Sequence, residues 1–280
     1  MKGFVKVIIA GAVLLVVGVV ILVIALGIYG WQIDDDYDMK NYECTEQNTI
    51  LDIDFSAGTL EINYYDGEKI KIEYPENKNL SASIVETNGK LSFTTTTKRK
   101  WNIFNWFNKI PTAKIWIPQG EIIDIDLDMN AGVTKVAEAE FGNFNIKMNA
   151  GTLQMDNATC KKMSVDMNAG TINVKDVVSA EAIRIDLSAG ALSIQSLVCP
   201  SLVGDISAGS VNISRLQTAS VDFDISAGAV KLGMIGAKSD YNIAIQKSAG
   251  SSNITNQSGN KDLRIKANIS AGSLNVSFES

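Results

Sequence analysis

The stretch "VDMNAGTINV", Val165–Val174, decides the fold. On both sides of Asn168-Ala169-Gly170 apolar and polar residues alternate, but the apolar set changes parity: Val165 and Met167 before the glycine, Ile172 and Val174 after it. Alternation of period two marks a β-strand. A straight strand through this sequence would turn one of its two apolar sets to solvent. The chain must therefore bend at Ala-Gly, with both flanking strands facing one core.

The same corner recurs along the chain. Its glycines are Gly58, Gly132, Gly151, Gly170, Gly190, Gly209, Gly228, Gly250 and Gly272, spaced from Gly132 onward by 19, 19, 20, 19, 19, 22 and 22 residues. With each glycine as position zero, apolar residues fall at −7, −5 and −3, as in Met163, Val165 and Met167 or Val221, Phe223 and Ile225. They return at +2 and +4, as in Leu192 and Ile194, and again near +7 at Val177, Leu197, Leu216 and Ile235. A fixed period near twenty with no helical pattern between corners predicts an all-β, single-chain parallel β-solenoid, its coils stacked at about 4.8 Å. Alanine at −1 is expected to face inward, where only a methyl group fits, and glycine to supply the sharp corner. At −2, Asn130, Asn149 and Asn168, then Ser188, Ser207, Ser226, Ser248 and Ser270, are expected to stack as a ladder. Lys247 and Ser252 take inward positions near the C-terminus, which suits a polar terminal coil.

Residues 1–31 form a separate unit. Val7 to Gly30 is an unbroken apolar or glycine run of 24 residues, about 36 Å as a helix at roughly 1.5 Å per residue, enough to span a bilayer. Lys2 and Lys6 precede it, whereas Asp34, Asp35, Asp36 and Asp38 follow. The expected arrangement is a single-pass anchor in the cell membrane, N-terminus cytoplasmic and the rest extracytoplasmic, held in membrane lipid through residues 7–30. A signal peptide with "ALG" at 25–27 as its cleavage site is the competing reading. An acidic linker is expected over 32–48, a β section capping the solenoid over 49–118 and solenoid repeats over 119–280. In the capping section Asn88-Gly89 reads as a hairpin turn.

Composition narrows function. The chain has 280 residues, a formal charge of −6 and no histidine; setting aside Lys2 and Lys6 leaves the outward part at −8, so no nucleic-acid partner is expected. Without histidine there is no Ser-His-Asp or Cys-His machinery and no imidazole metal site. Glycine-rich phosphate loops are absent too, because the glycines here end strands and open no helix. No enzyme activity and no cofactor are expected. Cys160 and Cys199 both sit at +9, two coils apart with Ser179 between them, so their backbones should lie about 9–10 Å apart, beyond disulfide reach. The Asn-x-Ser/Thr matches at Asn157, Asn212 and Asn253 reflect strand composition rather than glycosylation.

Two patterns carry chemistry. Asp166, Asp186, Asp205 and Asp224 occupy −4 on four consecutive coils; stacked carboxylates repel, and they either recruit cations or a basic partner or form a solvated face. They are weak metal candidates, interrupted by Lys147 and Gln246 at the ends. The second pattern is "KRKWNIFNWFNK", where Lys98, Arg99, Lys100 and Lys109 flank Trp101, Phe104, Trp106 and Phe107. It either plugs the open end of the core or meets anionic lipid or wall phosphate at a membrane interface.

With "LDIDFSAGTLEI" near the start, "AKIWIP" before the repeats and serial "MNAG" and "ISAG" corners, the chain over about residues 50–280 resembles the bacterial β-strand-repeat "putative adhesin" family. That resemblance implies an envelope protein, in many members membrane-anchored and in some associated with envelope-stress signalling. It carries over no catalytic motif. The expected function is a non-catalytic, membrane-anchored envelope protein presenting a rigid β-solenoid for adhesion or binding to an envelope protein or polymer. The alternatives are a regulatory partner in envelope-stress signalling and a bactofilin-like structural polymer built by end-to-end self-association.

Overall fold

The computed structural model describes residues 37–98 and 111–279. The expected anchor and most of the "KRKWNIFNWFNK" stretch lie outside the described residues, among which no helix is long and apolar enough to cross a membrane. The described chain is all-β: 22 strands, with a 3₁₀ turn at Lys238–Asp240.

Strands before the corners are β2 (Ile50–Phe55), β8 (Ile123–Met129), β10 (Ala139–Met148), the latter half of β11 (Thr152–Met167), β13 (Ile183–Leu187), β15 (Ser201–Ile206) and β17 (Ser220–Ile225). Strands after them are β3 (Thr59–Tyr65), β9 (Val133–Val136), the first half of β11, β12 (Thr171–Ser179), β14 (Ala191–Val198), β16 (Ser210–Gln217) and β18 (Ala229–Ile235). Each stacks in parallel on its counterpart one coil away. The apolar positions on both sides of the corner are buried, among them Val165, Met167, Ile172, Val174, Leu192, Ile194, Val221 and Phe223. Near +7, Val177, Leu197 and Leu216 are buried, but Ile235 is not; a register shift in β16/β18 puts Met234 opposite Leu216 and buries it instead.

The corner is itself part of the backbone ladder. The residue after each glycine donates its N–H to the glycine carbonyl one coil below, as in Thr171 to Gly151 and Ala191 to Gly170, both at 2.9 Å. Gly170 has φ 114, and a Cβ placed there would lie 2.4 Å from the Gly151 carbonyl oxygen. Gly209 has no positive φ, yet its Cβ would meet the Leu187 side chain at 2.4 Å. The glycine, not the alanine, makes the close approach. Ala169, Ala189, Ala208 and Ala227 are exposed, contrary to the inward placement expected, because the residues at −3 and +2 already fill the inner face. The asparagine ladder forms: Asn168 Nδ2 donates to Asn149 Oδ1 at 2.8 Å, and Asn149 Nδ2 to Asn130 Oδ1 at 2.9 Å. The shorter serines that follow make no side-chain bonds to one another among the described residues; their coils are joined through backbone bonds such as Ser207 N–H to Leu187 O.

Chain order and stacking order part at the C-terminus. The last coil, β21 (Leu263–Ile269) and β22 (Ser273–Glu279), lies between the Gly228 coil and the coil of β19 (Tyr241–Lys247) and β20 (Ser251–Ser252). Successive stacking would bury Lys247 inside the core, where an unpaired ammonium is costly. Inversion leaves Lys247 exposed at the end of the stack. The outermost edge is then covered. Ile243 and Gln257 exchange backbone bonds at 2.9 and 3.0 Å, Asn256 Oδ1 accepts the Ile245 N–H, and the Asn253 amide takes both the N–H and the C=O of Val276.

The N-terminal end is closed by antiparallel strands. β5 (Leu80–Thr87) and β6 (Lys90–Thr97) form a hairpin through Asn88 (φ 52) and Gly89 (φ 75), and β6 stacks in parallel on β2. β7 (Ala113–Pro118) stacks on β3, β4 (Lys71–Glu76) runs antiparallel to β7, and β1 (Asp38–Glu43) antiparallel to β4. The segment expected as an acidic linker, 32–48, thus contributes a strand, and its Cys44 and Asn48 are buried. One carboxylate explains this. Glu86 accepts hydrogen bonds from the Tyr42 hydroxyl, the backbone N–H of Thr45 and of Glu46, and Asn48 Nδ2. Burial alone would raise its carboxyl, but these donors outweigh it and bring the pKa down to about 2.

Two outcomes follow. Gly170→Ala should lower unfolding stability by about 2–4 kcal/mol through contact with the coil below and strain at positive φ, while Ala169→Ser stays within about 0.5 kcal/mol; urea titration of both separates them. Because the folded Glu86 carboxyl is depressed, its stabilisation is complete above an unfolded carboxyl's pKa, near 4.5, and lost as pH falls through about 2. The stability difference between wild type and Glu86→Gln should therefore shrink steadily on acidification across that window.

Candidate functional site

Parallel stacking repeats any outward side chain up the rod at about 4.8 Å. At −4, Asp166 pairs with Asp186, Asp186 with Asp205 and Asp205 with Asp224, so the four candidate acids stand in one file. The file extends past them. Lys147 stands between Asp166 and Asp128, and Asp128 beside Asp54. At −6, Asp52 pairs with Asp126. Sequence reading missed these four acids, although "LDIDF" and "IDIDLDM" place them at −4 and −6 of Gly58 and Gly132. At the other end Asn268 follows Asp224, with Gln246 one coil further, because the last coil is inserted.

Three carboxylates here meet a cation on the face itself. Arg184 grips Asp186 with two bonds of 2.8 Å, Lys266 reaches Asp222 at 2.9 Å, and Lys90 reaches Asp52 at 2.7 Å. Amides serve the others: Asn268 to Asp224, Asn145 to Asp126 and Asn130 to Asp54. Burial, then the charges of Asp128 and Asp52, pushes the Asp54 carboxyl up. The carboxylates of Asp166 and Asp205 make no hydrogen bond or ion pair among the described residues. No group of three or more Cys, Asp or Glu among the described residues is placed to hold a metal ion. Carboxylates in a parallel file point the same way, whereas a calcium site needs 6–8 oxygens converging on one point.

The second outer face is chemically different. At +3, Gln154, Asn173, Ser193 and Asn212 stack in register, with Thr152, Thr171, Ala191 and Ser210 beside them at +1. At these two positions four coils carry amides, hydroxyls and a methyl; the charges of the same strands lie further along, at Asp156, Lys175, Asp176 and Arg215, and Lys135 and Lys231 stand in register at the two ends of the +3 file.

The described cysteines are inert. Cys44, Cys160 and Cys199 are buried and unpaired, and burial raises all three thiols, Cys44 to about 12. Cys160 and Cys199 stand in one column with Ser179 between them. A groove of about 550 Å³ at the second bend places Cys199 and Thr218 beside Val198, Pro200, Tyr241 and Leu263, with no base in its lining. Of the aromatic-basic stretch, Lys98 is described: it is exposed at the end of β6, and its N–H donates to Asn79 O at 2.8 Å. Arg99, Lys100, Trp101, Phe104, Trp106, Phe107 and Lys109 lie outside the described residues. The flanking strands β6 and β7 hold the ends of that stretch where other coils carry their Ala-Gly corner.

The sequence profile of the Toastrack DUF4097 family matches residues 48–280. The structure is similar to a "putative adhesin" of Bacteroides fragilis NCTC 9343, with TM-score 0.57 and 14% identity over 88% of this chain and 100% of that one. It is similar also to a "putative adhesin" of Parabacteroides distasonis ATCC 8503, with TM-score 0.55 and 13% identity over 87% and 98%. At such identities the likeness shows the fold. None of the curated proteins matches the chain.

Asp205 stands between two like charges. Asp205→Asn should raise stability by about 0.2–1 kcal/mol at low salt, and the gain should fade as salt screens the file. Millimolar calcium should leave the wild-type melting temperature unchanged; stabilisation by calcium that Asp205→Asn abolishes would show the file to be a metal site.

Proposed function

The chain belongs to the Toastrack DUF4097 family, and from that premise we propose that it is a non-catalytic, membrane-anchored cell-envelope protein presenting a rigid β-solenoid for adhesion or binding. The observation that supports this best is the pair of outer faces. Stacked rungs hold a file of carboxylates in line on one and, at +1 and +3 of four coils, an array of amides and hydroxyls on the other. Both are binding surfaces preorganised by the core beneath them, so little side-chain or loop ordering opposes association. The reactive groups of the described chain, three buried thiols with raised pKa, are unsuited to nucleophilic chemistry. Anchorage rests on the apolar run Val7–Gly30 and the charge asymmetry around it.

One observation favours a second reading, a regulatory partner in envelope-stress signalling. The first described strand is β1, Asp38–Glu43, and only residues 31–37 lie between it and the expected anchor. The N-terminal cap would sit at the membrane surface, within reach of a membrane-bound regulator. The covered edge at Ile243 and Ile245 weighs against the third, a head-to-tail polymer.

Cells displaying the full chain should be retained on surfaces coated with purified wall polysaccharide, or on a cationic polymer, several-fold better than cells without it. Protease added outside should cut beyond Tyr37. Equal retention on both surfaces, with the protein demonstrably outside, would count against adhesion. In that event, a single cross-linked membrane partner would favour the signalling reading.

A further inference from the structure

The two ends of the stack expose backbone edges, and the chain treats them unequally. At the C-terminal end, Asn253, Asn256 and Gln257 occupy donors and acceptors that another strand would need. At the N-terminal end one sheet finishes in β1, whose Asp38, Lys40 and Glu43 are the charged side chains that discourage edge pairing. The other finishes in β5, which pairs with β6 and with no other strand among the described residues. β5 reads LSASIVET, with no lysine, arginine or proline. Its one acid, Glu86, is turned back onto Tyr42, Thr45, Glu46 and Asn48. Val85 is 52% exposed.

The free backbone groups follow from the hairpin. A two-residue turn at Asn88-Gly89 makes Thr87 and Lys90 a bonded pair, so residues 81, 83, 85 and 87 address β6, while 80, 82, 84 and 86 point their backbone away. Two bonds agree with this phase: Leu80 N–H donates to Asn77 Oδ1 at 2.8 Å and Ala82 N–H to Glu76 Oε1 at 3.1 Å, both off the outer side. Among the described residues the N–H and C=O of Ile84 and Glu86, and the C=O of Ala82, have no hydrogen-bond partner on that side.

We propose that two copies of this chain join edge to edge through β5, antiparallel about a two-fold axis at Ile84. Ile84 then exchanges both backbone bonds with Ile84 of the partner subunit, and the Glu86 N–H donates to the C=O of the partner subunit's Ala82. The pairing is self-complementary: Val85 faces Ser83 of the partner subunit, Glu86 faces the partner's Ala82, and no like charges oppose each other. Such an isologous contact closes after two copies and cannot extend into a filament. The interface does not depend on the adhesion reading, since it concerns the cap and not the outer faces.

The test uses the full chain in detergent or nanodiscs. Particle mass should rise with concentration from one chain to two. Ser83→Lys combined with Val85→Lys places lysines opposite one another on exposed positions and should return the mass to one chain with the melting temperature unchanged. Mixing a Ser83→Cys chain with a Val85→Cys chain under oxidation should give a cross-link about tenfold stronger than either variant alone, because residues 83 and 85 lie directly opposite whereas 83 and 83 are diagonal and beyond disulfide reach. The three native thiols are buried and do not compete. A single-chain mass at every concentration, a dimer that survives the two lysines, or equal linking of Ser83→Cys to itself would overturn the proposal.

Discussion

At every corner of this rod the carbonyl oxygen of one glycine occupies the space that a Cβ on the next coil's corner residue would need. The contact is set by the spacing of β rungs, which cannot widen locally without breaking the bonds that run through the corner itself. The parity change of the apolar pattern, the single continuous core and the alignment of every outward file all depend on coils meeting there at full backbone contact. Side chains from three stretches of each coil then converge on one interior, and they are held in register by bonds that no side chain interrupts.

A parallel stack has a cost at its ends, where backbone groups and apolar side chains lose their neighbours. This chain answers differently at each. The C-terminal side inverts its last two coils so that the one carrying Lys247 is outermost, and asparagine and glutamine then stand in for a further strand. The N-terminal side turns antiparallel and is tied down by the Glu86 carboxylate, which gathers five donors from a segment of acidic and polar composition. The second bonds its edge only in part, at Leu80 and Ala82, and among the described residues the backbone of Ile84 and Glu86 has no partner on that side.

The outer faces take their chemistry from the same geometry. A file of aspartates is tolerated because arginine, lysine and asparagine on neighbouring positions meet most of them. The amides and hydroxyls at +1 and +3 of the other face need no such partners. A rigid scaffold with two chemically distinct faces is what the proposed binding role requires.

Much of this was legible in the residues. Period, parity change, buried positions, the hairpin at Asn88-Gly89 and the separation of Cys160 from Cys199 all follow from local rules: side chains alternate along strands, and glycine marks the place where a side chain cannot go. What only the tertiary structure decided was non-local. The inversion of the last two coils, the burial of Cys44 and Asn48 in a segment that reads as linker, and the outward turn of the corner alanines each depend on what lies beside a residue in the stack. The acids at Asp52, Asp54, Asp126 and Asp128 were in register in the sequence, but their meeting required knowing that the Gly132 coil rests on the Gly58 coil, 74 positions earlier in the chain. Local alternation determines which way a side chain faces; the balance of buried charge and edge bonds over the whole stack determines which coil it faces.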